Sequence, residues 1–192
     1  MVQITRSNPK AFEIIADNLR GLSGVTAEVG WFENKTYDDG TPIAGIAAVQ
    51  EYGATISHPG GTPIGPHGFV SKAVGSGLPV TEAHTIVIPP RPFMRPTIAE
   101  KKDSWLKKMA NGAKKILRGE MDAQTVLEAV GHDAAGDITK TISSIHSPPL
   151  KKATIRARLN RKSDKKTIGL LDKPLIDTGK LFDSIDVRLG KG

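Results

Sequence analysis

Apolar side chains recur at the three-to-four-residue spacing of an amphipathic helix in three parts of the chain. These parts are residues 9–22, 95–119 and 122–145. Trp105 lies in the apolar stripe of the second helix, and Asp122 is placed to accept the first backbone N–H bonds of the third. Because only a short turn separates the second helix from the third, the two predict a long αα-hairpin.

Strand patterns are shorter and occur at three points, about residues 25–33, 84–88 and 185–189, where apolar residues alternate or are β-branched. We expect them to form a small, mostly antiparallel sheet. This sheet would pack against the N-terminal helix and the αα-hairpin, which gives an α+β fold. A further short helix is predicted over residues 42–52, with Gly53 following its end.

Two segments contain few apolar residues that could contribute to a core between the sheet and the helices. Residues 54–80 are rich in Gly and Pro and predict an extended loop that projects from the body. Residues 151–166 offer only Ile155 and Leu159 as apolar positions, which predicts a marginal helix or a mobile basic arm. The chain is otherwise long enough for one core, so we expect a single domain spanning residues 1–192.

Three short stretches hold the most specific information. In chain order they are Ile43-Ala-Gly-Ile-Ala-Ala-Val-Gln-Glu-Tyr-Gly53, Ile86-Val-Ile-Pro-Pro-Arg-Pro-Phe-Met-Arg-Pro-Thr-Ile98 and Pro174-Leu-Ile-Asp-Thr-Gly-Lys-Leu-Phe-Asp-Ser-Ile185. The second stretch is a β-branched strand that runs into prolines, which fix φ and remove backbone donors, and then enters a helix. Phe93 is predicted to anchor this turn in the core, with Arg91 and Arg95 facing a neighbouring subunit or a nearby acidic side chain.

Taken in this order, the three stretches resemble the small tail-completion, or head–tail joining, proteins in the neck of lambdoid-type tailed bacteriophages. The resemblance implies a structural virion protein that forms a homo-oligomeric ring, sixfold at the tail end or twelvefold nearer the portal. The implied partners are copies of the chain, the adjoining connector, a tail-tube or tail-terminator protein, and the DNA in the channel. The implied location is the virion neck, after assembly in the host cytoplasm.

The composition narrows the class of protein. The chain contains no cysteine, so it has no disulfide and no thiolate metal site, as expected for assembly in a reducing cytoplasm. The mean hydropathy is −0.24, and no stretch approaches the ~20 apolar residues that span a bilayer, so we expect a soluble protein without a membrane partner. The N terminus has no signal-peptide core, which predicts a cytosolic product.

The net charge of +7 favours acidic partners. Positive charge is concentrated in residues 101–118 and 151–166, whereas the first third carries an acidic cluster that includes Glu51. Either basic run has two interpretations, a solvated helix face or a surface that binds DNA or an acidic ring of a partner protein. For residues 151–166 we favour a partner, and a protein over DNA. The predicted partner-binding residues in this arm are Arg156, Arg158, Arg161 and Lys162.

The alternative function is nonspecific nucleic-acid binding through both basic runs. Salt distinguishes the two hypotheses, because binding to phosphates weakens steeply with ionic strength whereas assembly through apolar contacts does not. Neither run interleaves aromatic residues, so stacking on single-stranded bases is not expected.

No recognisable catalytic or cofactor motif accompanies these features. The five histidines lack the spacing of a metal site, and the glycine-rich segment near residue 60 lacks the Gly-Lys-Ser/Thr end of a P-loop. We therefore expect no enzyme, no metal and no cofactor. The remaining aromatic and apolar residues of interest are predicted structural anchors, namely Phe93, Trp105, Leu181 and Phe182.

Overall fold

The structure, a computed structural model, describes residues 9–22, 24–65, 68–69, 77–159 and 171–191. The helices in these residues are α1 (Pro9–Leu22), α2 (Ile43–Tyr52), α3 (Met94–Leu117), α4 (Ala123–Ser144), α5 (Lys152–Leu159) and α6 (Lys180–Asp183). The strands are β1 (Val25–Gly30), β2 (Ala54–His58), β3 (Ile64–Gly65), β4 (Gly68–Phe69), β5 (His84–Ile88) and β6 (Asp186–Lys191). The mixture of helices and small antiparallel sheets confirms the predicted α+β class.

The strands pair in three separate antiparallel ladders, β1 with β6, β2 with β5 and β3 with β4. The first and last strands lie in one antiparallel sheet as predicted, and they pair directly, with Val29 opposite Val187. The prediction that β5 joins the same sheet is wrong, because its partner is β2. The first strand also ends at Gly30 rather than at residue 33.

The long αα-hairpin formed by α3 and α4 lies against the β1–β6 sheet. Asp122 begins α4 as predicted, and its carboxylate accepts a hydrogen bond of 2.8 Å from the Thr125 backbone N–H. Contact with the sheet is made by α4, where Gly131 has no Cβ to separate the helix from β6. A Cβ on Gly131 would lie 2.5 Å from Val187 Cγ1, so a larger residue would force the helix away from the strand.

The main core lies where α2, the turn before α3, α4 and the C-terminal segment meet. Its buried residues are Ile43, Ala47, Phe93, Ile138, Ile142, Leu175 and Leu181. A smaller cluster of Ile116, Ala123 and Val126 closes the hairpin at its other end. The C-terminal segment therefore completes the core in addition to supplying β6.

Both segments expected outside the core are partly ordered into regular structure. The loop predicted over residues 54–80 begins with β2, because the residues after Gly53 find a distant partner in β5. The arm predicted over residues 151–166 begins with the helix α5, and its residues 160–166 lie outside the described residues.

Candidate functional site

The three sequence motifs meet at one buried junction, to which residues 43–53, 86–98 and 174–185 each contribute side chains. Ile43 and Ala47 come from the first motif, Phe93 from the second and Leu181 from the third. Trp31, which directly follows β1, links the second motif to the third. Its ring packs edge-on against Phe93 at a centroid distance of 5.3 Å, and its Nε1–H donates to the Leu181 carbonyl at 2.8 Å.

Glu51, in the last turn of α2, is the central polar residue of the junction and is only 3% exposed. Its Oε2 accepts hydrogen bonds from the backbone N–H groups of Phe93 at 2.6 Å and Met94 at 2.9 Å. Its Oε1 accepts from Arg95, through the backbone N–H at 3.2 Å and Nε at 2.9 Å. Since Phe93 provides no side-chain cap for α3, the Glu51 carboxylate caps that helix from a different element.

The same contacts set the protonation of Glu51. Burial by itself raises the pKa of the carboxyl, but the backbone N–H groups of Met94 and Phe93 and the Arg95 guanidinium together hold its pKa below the usual value. The negative charge also lies at the positive end of the α3 dipole. Glu51 is therefore an ionised structural residue. Although Glu51 falls in the acidic first third of the sequence, it is buried and does not contribute to an acidic surface.

Arg95 lies at the surface of the junction, with its side chain 57% exposed. Its guanidinium bonds to Glu51, donates from Nη2 to the Glu51 carbonyl at 2.9 Å, and stacks 4.9 Å from the centre of the Tyr52 ring. Of the two predicted environments for Arg95, the structure shows the nearby acidic side chain.

Gly53 ends α2 and turns the chain into β2 with φ 77° and ψ 171°, a backbone conformation essentially restricted to glycine. A Cβ at this position would lie 2.9 Å from the Ile88 carbonyl oxygen and 3.0 Å from Pro90 Cδ. The glycine of the first motif is thus required by close packing against the prolines of the second.

Arg91 is buried, at 6% exposure, so the prediction that it faces a neighbouring subunit is wrong. Its Nε donates to the Pro148 carbonyl at 2.8 Å and its Nη1 to Gln50 Oε1 at 3.2 Å. Burial, together with the charge of Arg158, lowers the pKa of Arg91. The residue ties the proline turn to the segment that follows α4.

Arg158 is also buried, at 8% exposure, and the prediction that it contacts a partner is corrected in the same way. Its Nη1 donates to three backbone carbonyls of the segment that enters the third motif, those of Leu171 at 3.0 Å, Lys173 at 2.7 Å and Ile176 at 3.1 Å. The basic helix α5 is therefore held on the body by carbonyl oxygens and by an ion pair within the chain, in which Arg158 Nε lies 3.7 Å from Asp177 Oδ1.

The other predicted site residues are distributed as follows. Arg156 is exposed on α5, whereas Arg161 and Lys162 lie outside the described residues. Trp105 is partly buried, and its Nε1–H donates to Asp137 Oδ2 at 3.0 Å, which links α3 to α4. Phe182 is partly buried against the main core.

The basic face of α3 is largely open to solvent. Lys101 pairs with Glu100 at 2.7 Å, and Lys108 bonds to Asp133 of α4. Other lysines of this helix are exposed, namely Lys102, Lys107, Lys114 and Lys115. The helix α3 thus presents several positive charges that a partner could bind.

A cavity of about 440 Å³ adjoins the junction, and its lining includes Tyr37, Asp39, Arg158 and Asp177. Burial, followed by the charges of Asp177 and Asp39, raises the pKa of Tyr37. Within the described residues, no group of three or more His, Cys, Asp or Glu side chains is arranged to hold a metal ion.

No helix among the described residues combines the length and apolarity needed to cross a membrane. Comparison of the chain with protein-family models, with curated proteins and with solved structures gave no match.

Proposed function

We propose that this chain is a structural subunit of a tailed-bacteriophage neck, where a homo-oligomeric ring of it completes the tail or connector and joins head to tail. The observation that carries the proposal is the convergence of the three motifs on one junction. Three motifs that matched the family by chance would have no reason to lie together in the structure. Motifs that belong to one fold are expected to lie together. The resemblance to phage neck proteins also implies the order of the ring, which is sixfold or twelvefold.

The chemistry of the junction supports an architectural role. Each charged motif residue at its centre is satisfied within the chain, Glu51 by backbone N–H groups and Arg91 by backbone carbonyls. Such contacts fix the positions of helices and turns. The junction therefore holds α2, the proline turn and α3 in a rigid corner from which the β2–β5 ladder extends.

The surface charge supports a large acidic partner. Exposed cations on α3 and the exposed Arg156 on α5 suit an acidic face of the adjoining connector or tail protein. A charged surface of this kind speeds docking and selects the partner, while apolar contacts between copies hold the ring.

The proposal is tested by the mass of the purified protein in solution. Sedimentation equilibrium and electron microscopy should show a closed ring that persists at about 0.5 M salt, where exposed charge pairs are strongly screened. A protein that stays monomeric at every concentration and salt level would contradict the ring.

Nonspecific nucleic-acid binding remains a second candidate, favoured by the exposed lysines of α3. Fluorescence polarisation with duplex DNA would show affinity falling about 10³-fold or more between 50 and 200 mM salt if six or more phosphates are contacted. Reversing the charge of Lys107, Lys114 and Lys115 should then abolish binding. Equal affinity of the variant and the wild type would rule out this face.

A further inference from the structure

An apolar groove runs along β1, between that strand and the αα-hairpin, with a volume of about 590 Å³. The sheet covers α4. The helix α3 packs beside α4 and also contacts α1, and some of its apolar side chains stay exposed. Three of these line the groove from α3: Ile98 is 45% exposed, Leu106 is 59% exposed and Met109 is 38% exposed. The opposite wall includes Val25 and Ala27 of β1.

The strand beside this groove has an open edge. Within the described residues β1 pairs with β6 and with no other strand, so one row of its backbone N–H and C=O groups has no ladder partner. An open edge next to an apolar surface is suited to the addition of another strand, which pairs with the backbone and covers the side chains. The sheet thus lacks the strands that would cover α3.

The same chain carries a two-stranded ribbon with one apolar face. In the β2–β5 register, Ala54 lies opposite Ile88 and Ile56 lies opposite Ile86, and these pairs share a face because side chains alternate along a strand. Thr55 lies on the other face, opposite Val87, which is 60% exposed. Ile56 is 44% exposed, and both strands make their main contacts with each other. A two-stranded ribbon of this kind is marginally stable alone.

The base of the ribbon holds it in a fixed direction. Gly53 packs against Ile88 and Pro90, and the Arg91 backbone N–H donates to the Gln50 carbonyl at 2.6 Å. Because the proline turn and the end of α2 are joined in this way, the ribbon is presented to a partner with little loss of freedom on binding.

We propose that the β2–β5 ribbon of one subunit docks beside β1 of a second copy, with its apolar face over the groove of that copy. The two ladders then form a continuous sheet that covers α3. This contact rests on the proposed function, since it is the contact between neighbours that would build the ring. The two contacting surfaces are different parts of the chain. Each copy can therefore bind one neighbour with its ribbon and another with its groove, as a ring requires.

The distribution of charge favours the ribbon of a second copy as the segment that binds in the groove. Residues 53–65 and 77–90, which include both strands of the ribbon, contain Glu82 but no Lys or Arg, and the segment of sequence between these ranges contains Lys72. The groove is bordered by Lys102 on the basic helix α3. The two strands themselves therefore bring no positive charge to α3, and both contacting surfaces are present on every copy.

A matched set of four variants tests the contact. Leu106→Glu places a charge in the groove and Ile56→Glu places one on the apolar face of the ribbon. Ser104→Glu on the exposed side of α3 and Thr55→Glu on the opposite face of the ribbon are the controls. Self-association measured by sedimentation velocity should weaken by about tenfold or more in the first two variants and stay unchanged in the controls. Circular dichroism should show the same folded content in all four.

Mixing the two defective variants gives the decisive result. The Leu106→Glu subunit keeps an intact ribbon and the Ile56→Glu subunit keeps an intact groove, so together they should form a 1:1 heterodimer that cannot grow further. Absence of this heterodimer, or normal rings from either variant alone, would overturn the ribbon–groove contact while leaving the neck proposal standing. A wild-type protein that does not self-associate would overturn both.

Discussion

Replacing Glu51 by Gln is expected to destabilise the protein although the side chain keeps its size. The carboxylate accepts from the backbone N–H groups of Phe93, Met94 and Arg95 and from the Arg95 side chain. An amide offers one acceptor oxygen, and its NH₂ group would face backbone donors of α3. The substitution also removes the negative charge at the start of that helix.

The magnitude follows from the burial of these groups. Hydrogen bonds to a charged acceptor contribute about 1.5–3 kcal/mol each, and the cost of burying the carboxylate offsets part of their sum. The Arg95 guanidinium is half exposed and can return to water. We therefore expect a loss of about 2–3 kcal/mol for Glu51→Gln, which lowers the Tm of a chain of this size by about 4–12 °C.

The pH dependence provides a second readout. Because the pKa of Glu51 is lowered on folding, its contribution to stability is present above the ordinary glutamate pKa of about 4.3 and is lost as the pH falls through the lower, folded value. Urea unfolding followed by circular dichroism from pH 7 down to about pH 3 should show this loss in the wild type. In Glu51→Gln this part of the acid-dependent loss should be absent.

Glu100→Gln is the matched control, because Glu100 lies on α3 with its side chain 71% exposed. It should change the free energy of unfolding by no more than about 0.5 kcal/mol. If Glu51→Gln is as stable as this control at pH 7, the carboxylate does not cap α3 as described.

Three further substitutions test the junction by thermal unfolding. Phe93→Ala should cost about 3–5 kcal/mol because Phe93 is fully buried, and an unchanged Tm would refute its role as the anchor. Arg158→Met should cost about 3 kcal/mol by leaving buried carbonyls without donors, whereas Arg156→Met should be nearly neutral. Equal effects would contradict the role of Arg158 in holding α5 on the body. Gly53→Ala should cost about 1–3 kcal/mol from backbone strain alone, and a stability equal to the wild type would show that the turn adapts.

Local patterns in the sequence predicted the helices well. Residues 9–22 form α1, the αα-hairpin has nearly the expected ends, and Asp122 caps α4. These features depend on apolar spacing and on capping residues next to the helix itself. The sequence also predicted that the first and last strands share one mostly antiparallel sheet, although it did not predict that they pair directly.

The sequence did not predict the features that depend on contacts between distant parts of the chain. β2 follows a glycine and precedes a Gly- and Pro-rich segment, so only its partner β5 shows that it is a strand. Burial of Arg91 and Arg158 depends on carbonyl oxygens that no charge pattern identifies. Glu51 did carry a signal, since an acid in the last turn of an apolar helix opposes the helix dipole and therefore indicates a specific partner.

The most direct test of the proposed neck function is an assay of the joining of phage heads to tails, with and without this protein. A lysate without the protein should contain filled heads and finished tails that electron microscopy shows unattached. Adding the purified wild-type protein should restore joined, infectious particles, and adding Leu106→Glu should not. Normal yields of joined particles without the protein would contradict the proposed function.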